Sequence, residues 1–300
     1  MQDQSPIVDC HQHFWDLDRN YYPWLCDAVP LHFRYGDYAA IKRNYMPPDY
    51  LQDAGVNRVV KTVHEEAWWN PADPVGETRF VEEVAAKHGL PTALVGNGPL
   101  GRDDIEEVLA GHAASPLARG IRNFPAAAAS PREAKRGAAG SMDDPNWRRG
   151  YALLERYGFS CDLQTPWWHL DAMAELAADF PRIQIVIVHA GLPNDRSPEG
   201  LKAWRRALEH VAARPNVAIK ISGLGQPGLP WTLAANGPVI RELVAIFGAD
   251  RAMFASNYPV DRIVGTFATI YDGFRAAAAD RSEAERRKLF HDTAERIYRL

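Results

Sequence analysis

Short apolar runs alternate with amphipathic stretches from one end of the chain to the other. The runs PIVDCHQH (6–13), RVVKTVHEE (58–66), TALVGNG (92–98), ARGIRNF (118–124), FSCDLQT (159–165), QIVIVHA (184–190), VAIKISG (217–223) and RAMFASN (251–257) are β-branched or apolar and nearly continuous. That is the pattern of strands buried on both faces. Helix-period stretches lie between them: GETRFVEEVAAKHG, NWRRGYALLERYG, LDAMAELAADF, GLKAWRRALEHVAA and PVIRELVAIFGAD. Gly or Pro often follows, as at His88-Gly89 and Arg214-Pro215. Strand–helix alternation repeated eight times in 300 residues predicts an α/β protein, a (β/α)8 TIM barrel occupying 1–300 as a single domain. An open doubly wound sheet would call for a Gly-rich phosphate turn after an early strand, and GNGPLGRDD after the third run lacks the spacing.

Three segments exceed the barrel repeat. FWDLDRNYYPWLCDAVPLHFRYGDY (14–38) is an aromatic connection too long for a tight turn, the kind of loop that covers a site or docks a second subunit. AAAASPREAKRGAAGSMDD (126–144) reads as a mobile surface loop. RSEAERRKLFHDTAERIYRL, at the C-terminus, reads as an extra helix on the barrel exterior.

Composition narrows the function. A hydrophobic content of 46% supports a large core, and a net charge of −4 with no Lys/Arg cluster argues against a nucleic-acid partner. Cys10, Cys26 and Cys161 are scattered and form no CxxC pair, as in a reduced, cytoplasmic protein. No apolar run approaches the roughly 20 residues that span a bilayer, and MQDQSPIVDC shows no leader pattern. The expected partner is a small anionic molecule, with a homo-oligomer left open.

Side chains alternate along strands, and catalytic groups of such barrels sit at the C-terminal strand ends. Inward polar residues there carry the information. His11 and His13 share a face, with Asp9 expected one layer deeper on the same face. His64 and Glu66 share one in the second strand, Asp162 and Gln164 in the fifth, and Lys220 and Ser222 in the seventh. Arg122, His189 and Asn257 end the fourth, sixth and eighth. Each has a plainer reading: a lone His such as His64 as scaffolding, Lys220 as a buried cation paired with Asp162 or Asp9. Two inward imidazoles at His11 and His13 are costly to bury for nothing, and with His189 they form the strongest signal. Trp68, Trp69, Trp167 and Trp168 either wall a pocket or pack the core. His32, His88, His112, His169, His210 and His291 fall in loops or helices and receive no role.

IVDCHQHFWD, ARGIRNF, IVIVHAGLP, VAIKISGLG and MFASNYPVD together resemble the amidohydrolase superfamily, in the amidohydrolase-2 branch of 2-pyrone-4,6-dicarboxylate lactonase and the sugar-acid lactonases. The resemblance covers the whole chain. It implies a (β/α)8 barrel whose metal-dependent members bind zinc or a similar ion through the His-x-His pair, further histidines and an eighth-strand Asp. In lactonases of this branch, histidines and arginines hold the substrate and that Asp activates water. Carried over, the pair is His11 and His13, the sixth-strand histidine is His189, the arginine is Arg122, and Asn257 stands where the Asp is expected. The fifth strand offers no histidine and the fourth no bridging Lys or Glu, against a binuclear centre. One zinc or other divalent ion on His11, His13 and His189 and a metal-free site both remain open.

An amide cannot take a proton near neutral pH, so Asn257 raises the question of the base. Glu66 or Asp261 is one answer; a metal-activated water is another; a reaction without activated water is the third. The favoured reading is a hydrolase opening a lactone of a small carboxylic or sugar acid. Arg122, Lys220, Gln164, His64 and the His-x-His pair would bind the substrate, and Asn257, Glu66, Asp261 and His189 would form the catalytic set. The alternatives are a lyase (decarboxylase) or isomerase acting on a similar acid, and a ligand-binding relic.

Overall fold

A computed structural model describes residues 5–28 and 33–300, so His32 and the middle of the aromatic connection lie outside the described residues. Eight parallel strands pair in sequence order: β1 (Ile7–Gln12), β2 (Val59–Glu65), β3 (Ala93–Asn97), β4 (Ala118–Asn123), β5 (Ser160–Leu163), β6 (Ile185–Ile187), β7 (Val217–Ile221) and β8 (Ala252–Phe254). Backbone bonds from Asn257 N to the His11 carbonyl and from His13 N to the Tyr258 carbonyl, both 2.8 Å, join the last strand to the first. The expected (β/α)8 barrel is the observed fold. Helices Gly76–His88, Leu170–Asp179, Pro198–Ala212 and Leu233–Phe247 fall where the helical periodicity placed them, and NWRRGYALLERYG divides into Pro145–Ala152 and Leu154–Tyr157.

Alternation along the strands separates two apolar layers. Ile121, Leu163, Ile187, Ile219, Ile221 and Phe254 face outward and pack under the helices. Burying each such side chain contributes roughly 1.5–3 kcal/mol. Val8, Cys10, Val63, Val95, Val186, Ala218 and Met253 form a separate inner cluster, which Ala294, Ile297 and Tyr298 join. The C-terminal segment therefore does not rest on the exterior as expected. It breaks into Glu283–Arg287, a π turn at Lys288–Asp292 and Thr293–Tyr298. Its last turn inserts apolar side chains among the lumen residues, because the small Ala93, Ala218 and Ala255 leave room there.

Two register details position the site. Between Asp9 and Gln12 strand β1 carries one residue more than β2, since Asp9 pairs with Thr62 and Gln12 with His64. This bulge breaks the alternation. Cys10 joins the inner cluster, while Asp9 turns outward, accepting from the Tyr50 hydroxyl (2.7 Å) and Ser256 N (2.8 Å). Asp9 thus does not share the face of His11 and His13. In β2 the lumen face carries Val63 and Glu65, so the inward carboxylate is Glu65. The 126–144 loop is anchored to the residues after β5: Ala128 N donates to His169 Nε2 and the Trp168 indole donates to the Ala128 carbonyl.

Candidate active site

A cavity of about 460 Å³ opens above the C-terminal strand ends. Trp24, Phe33, Ala67, Trp68 and Val260 supply apolar walls, and His13, Arg34, Arg122, Gln164, His189 and Asn257 supply the polar lining. Trp24, Phe33 and Arg34 come from the aromatic connection, which therefore covers the site. Trp68 holds φ 57°, a left-handed conformation costly for a bulky residue, and the Glu66 carboxylate secures it by accepting Trp68 N at 2.9 Å. Trp69 packs on Tyr22 and Phe80, and Trp167 and Trp168 pack on each other; none of the three lines the cavity.

Three imidazoles gather at the floor. The His11 ring lies 5.0 Å from that of His13 and 4.6 Å from that of His189. Burial holds all three well below the ordinary histidine range, with Lys220 foremost among the charges at His11, Arg122 at His13 and Arg34 at His189. They are neutral at physiological pH. His13 Nδ1 lies 2.7 Å from the Glu65 carbonyl and must carry the proton it donates there, which leaves a lone pair on Nε2. That lone pair faces Asn257 Oδ1 at 3.4 Å.

The Asn257 orientation follows from what lies behind it. Its Nδ2 donates to Asp261 Oδ1 at 2.5 Å, so its oxygen must point to His13. The backbone is left-handed at φ 55°, a conformation asparagine tolerates better than most residues. Asp261 also accepts from the Tyr35 hydroxyl at 2.9 Å. Burial raises its pKa to about 6, against the opposing pull of Arg34, Asn257 and Tyr35, so it is ionised at neutral pH. Two acceptors, His13 Nε2 and Asn257 Oδ1, thus face one point, which suits a water or a substrate hydroxyl giving a hydrogen to each.

Arg122 is held rigidly at the rim. It donates to the Glu66 carbonyl (2.8 Å) and Gln164 Oε1 (2.6 Å), and its guanidinium lies 4.6 Å from the Phe124 ring centre. Glu66 itself is buried; burial raises its pKa to about 7, opposed mainly by Arg122. Of the residues singled out in the sequence, His13, Arg122, Gln164, His189 and Asn257 line the cavity, with His11 beneath the floor and Asp261 behind Asn257.

Three others do not reach it: Glu66, whose carboxylate turns to Trp68 N, His64 and Lys220. His64 points away, its Nδ1 accepting from Phe14 N at 3.2 Å and its Nε2 lying 3.1 Å from Glu77, because its neighbour Glu65 takes the lumen face. Lys220 is fully buried below the floor, 2.6 Å from Glu65 and 2.7 Å from Asp162. Asp162 also accepts from the Tyr298 hydroxyl at 2.6 Å, and this is the plainer reading of the lysine. Sequence reasoning missed Glu65, Arg34 and Tyr35. The adjacent glutamates of HEE hid the register, and nothing periodic marks two residues in an irregular connection.

The amidohydrolase family model matches residues 8–300, and the chain belongs to that family of barrel enzymes. The uncharacterized protein y4mH of Sinorhizobium fredii is 40% identical over 301 residues, covering 98% of each chain. An L-fucono-1,5-lactonase of Burkholderia ambifaria is 30% identical over 261 residues, covering 87% of this chain and 82% of that protein. A crystal structure of an amidohydrolase from Burkholderia multivorans with bound zinc superposes with a TM-score of 0.80 at 25% identity, covering 98% of this chain and 99% of that one. Among the described residues no helix is long and apolar enough to cross a membrane.

The zinc in that structure invites a test of fit. The donors here suit a divalent ion in kind: three neutral imidazoles, with both nitrogens of His11 buried and unpartnered. Their spacing does not. Among the described residues, the one trio of His, Cys, Asp or Glu whose ligand atoms all fall within 4.8 Å of one another is His291, Asp292 and Glu295, remote from the cavity. There His291 already contacts both acids, and Lys61 occupies Glu295 at 2.6 Å.

Proposed function

We propose that the protein is a lactonase that opens the cyclic ester of a small carboxylic or sugar acid. The observation that carries this reading is the pair of acceptors, His13 Nε2 and Asn257 Oδ1, converging inside a cavity that also holds two guanidiniums. A water donating one hydrogen to each acceptor keeps a lone pair free for attack on the lactone carbonyl. His13 takes the proton of the attacking water as the C–O bond forms. Arg122 and Arg34 stabilise the tetrahedral oxyanion or bind a substrate carboxylate. The intermediate then collapses, the ring C–O bond breaks, and protonated His13 returns its proton to the leaving alkoxide. The product is a hydroxy acid. The lactonase-named relative supports the same class, and the aromatic walls suit a ring-shaped substrate.

In this reading Asn257 orients water and no eighth-strand carboxylate is required. Glu66 holds Trp68, and Asp261 sits behind the amide; neither faces the cavity. The experiment is a panel of five- and six-membered sugar and carboxylic acid lactones followed by acid release, with the parent acids followed in parallel for carbon dioxide release. Saturable ring opening is expected. Decarboxylation of the acids without lactone turnover would replace this reading with the lyase alternative.

A further inference from the structure

The aromatic connection contributes more than walls. Arg34 Nη2 donates to the Tyr35 hydroxyl at 2.8 Å, and that hydroxyl donates to Asp261 Oδ1 at 2.9 Å. The same oxygen receives Asn257 Nδ2 at 2.5 Å. A continuous chain of polar contacts therefore runs from the connection, through a buried carboxylate, to the amide that faces His13. Tyr35 is 3% exposed and Asp261 1%, so the chain is shielded from bulk solvent.

The segment after β7 is shaped to receive this chain. A Cβ on Gly223 would lie 2.4 Å from Arg34 Nη2 and 2.5 Å from His189 Nδ1, and Gly223 also holds φ +60°. A Cβ on Gly225 would lie 2.8 Å from the Tyr35 ring. The glycines of SGLG thus leave space that Arg34 and His189 use at Gly223, and Tyr35 and Val264 at Gly225.

We propose that Tyr35 is a positioning residue: seated against the glycines that follow β7, it holds Asp261 so that Asn257 presents its oxygen, rather than its NH2, to His13. This rests on the reading of His13 and Asn257 as the pair that holds the attacking water. An amide is nearly symmetric in shape, so its orientation depends on which neighbour accepts and which donates. Asp261 supplies the acceptor. Tyr35, beside the Gly223 backbone N–H, supplies a donor that keeps this carboxylate from rotating away.

Two readouts separate this proposal from the function it rests on. The first needs no substrate. In full-length protein labelled with 15N-asparagine, the Asn257 side-chain NH2 signals, assigned by their loss in Asn257→Asp, are expected to shift in both Tyr35→Phe and Asp261→Asn. Unmoved signals in Tyr35→Phe would overturn the latch whatever the enzyme hydrolyses. The second uses a lactone found in the panel. Tyr35→Phe is expected to lower kcat roughly tenfold, as for loss of one hydrogen bond to a charged group, with KM within about twofold of wild type. In the Asp261→Asn background the same change is expected to lower kcat no further. Additive losses, or a rise in KM with kcat unchanged, would make Tyr35 a wall residue and overturn the proposal. Shifted signals with no lactone turned over would retain the latch and reject the lactonase.

Discussion

Two groups of buried polar side chains sit one above the other in the same barrel, and their difference separates scaffold from site. In the lower group, Lys220 reaches Glu65 and Asp162 at 2.6 and 2.7 Å, and Tyr298 closes the remaining side of Asp162. In the upper group, both nitrogens of His11 lack hydrogen-bond partners, and His13 and Asn257 turn acceptors toward each other. Both groups come from inward strand positions of the same kind of sequence. The lower one is closed mainly by its own charges, with Glu65 Oε1 alone left without a hydrogen bond, 3.8 Å from Arg122 Nε; the upper one leaves valences for something else. Paired burial marks structure, and unpaired burial beside a cavity marks chemistry.

Removing the lysine should produce the largest effect on the lower group. Lys220→Met leaves Glu65 and Asp162 buried without their cation, and a loss of about 3–5 kcal/mol is expected from breaking such a pair. Chemical denaturation measures it. A midpoint within error of wild type would mean that the lower group is not the scaffold described here.

A smaller effect is expected at the rim. Arg122→Lys keeps the charge but loses the fork that spans the Glu66 carbonyl and Gln164. A fall in kcat/KM of roughly tenfold to a hundredfold is expected, matching about 1.5–3 kcal/mol for hydrogen bonds to a charged group, with little change in melting temperature. Steady-state kinetics on the lactone panel would show whether that loss is missing.

The smallest effect concerns pH. Burial raises Glu66 from the ordinary 4.5 to about 7, so the folded state holds that proton more tightly than the unfolded chain does. The contribution of Glu66 to stability therefore declines as pH rises from about 4.5 to about 7 and is level on either side. Glu66→Gln should flatten the fall in that window. A slope unchanged by the substitution, in denaturation series from pH 4 to 8, would show that Glu66 does not titrate there.

How much of this was legible in the sequence depended on whether a local period carried it. The eight strands and their order were legible because continuous apolar runs recur at barrel spacing. The residues that reach the cavity from strand ends, among them His13, Arg122 and His189, were legible from their position at the ends of those runs. The bulge at Asp9–Gln12 was not, because one added residue changes parity without changing composition. HEE in β2 offered two carboxylates, and strand register alone chose Glu65. Arg34 and Tyr35 depend on contacts with β7 and Asp261, about 190 and 226 positions along the chain, which no local pattern reports. The last turn, IYRL, resembled a surface helix because its apolar face gave no sign of which surface it would fill.

The most direct test is to measure kcat and melting temperature together for His13→Gln, beside Lys220→Met. His13→Gln is expected to lose about 10²–10⁴-fold in kcat, the usual contribution of a general base, while melting within a few degrees of wild type. Lys220→Met should show the reverse order of damage, with stability lost first. A His13→Gln enzyme that keeps wild-type turnover, or that loses stability rather than rate, would contradict the assignment of His13 as the group that takes the proton of water.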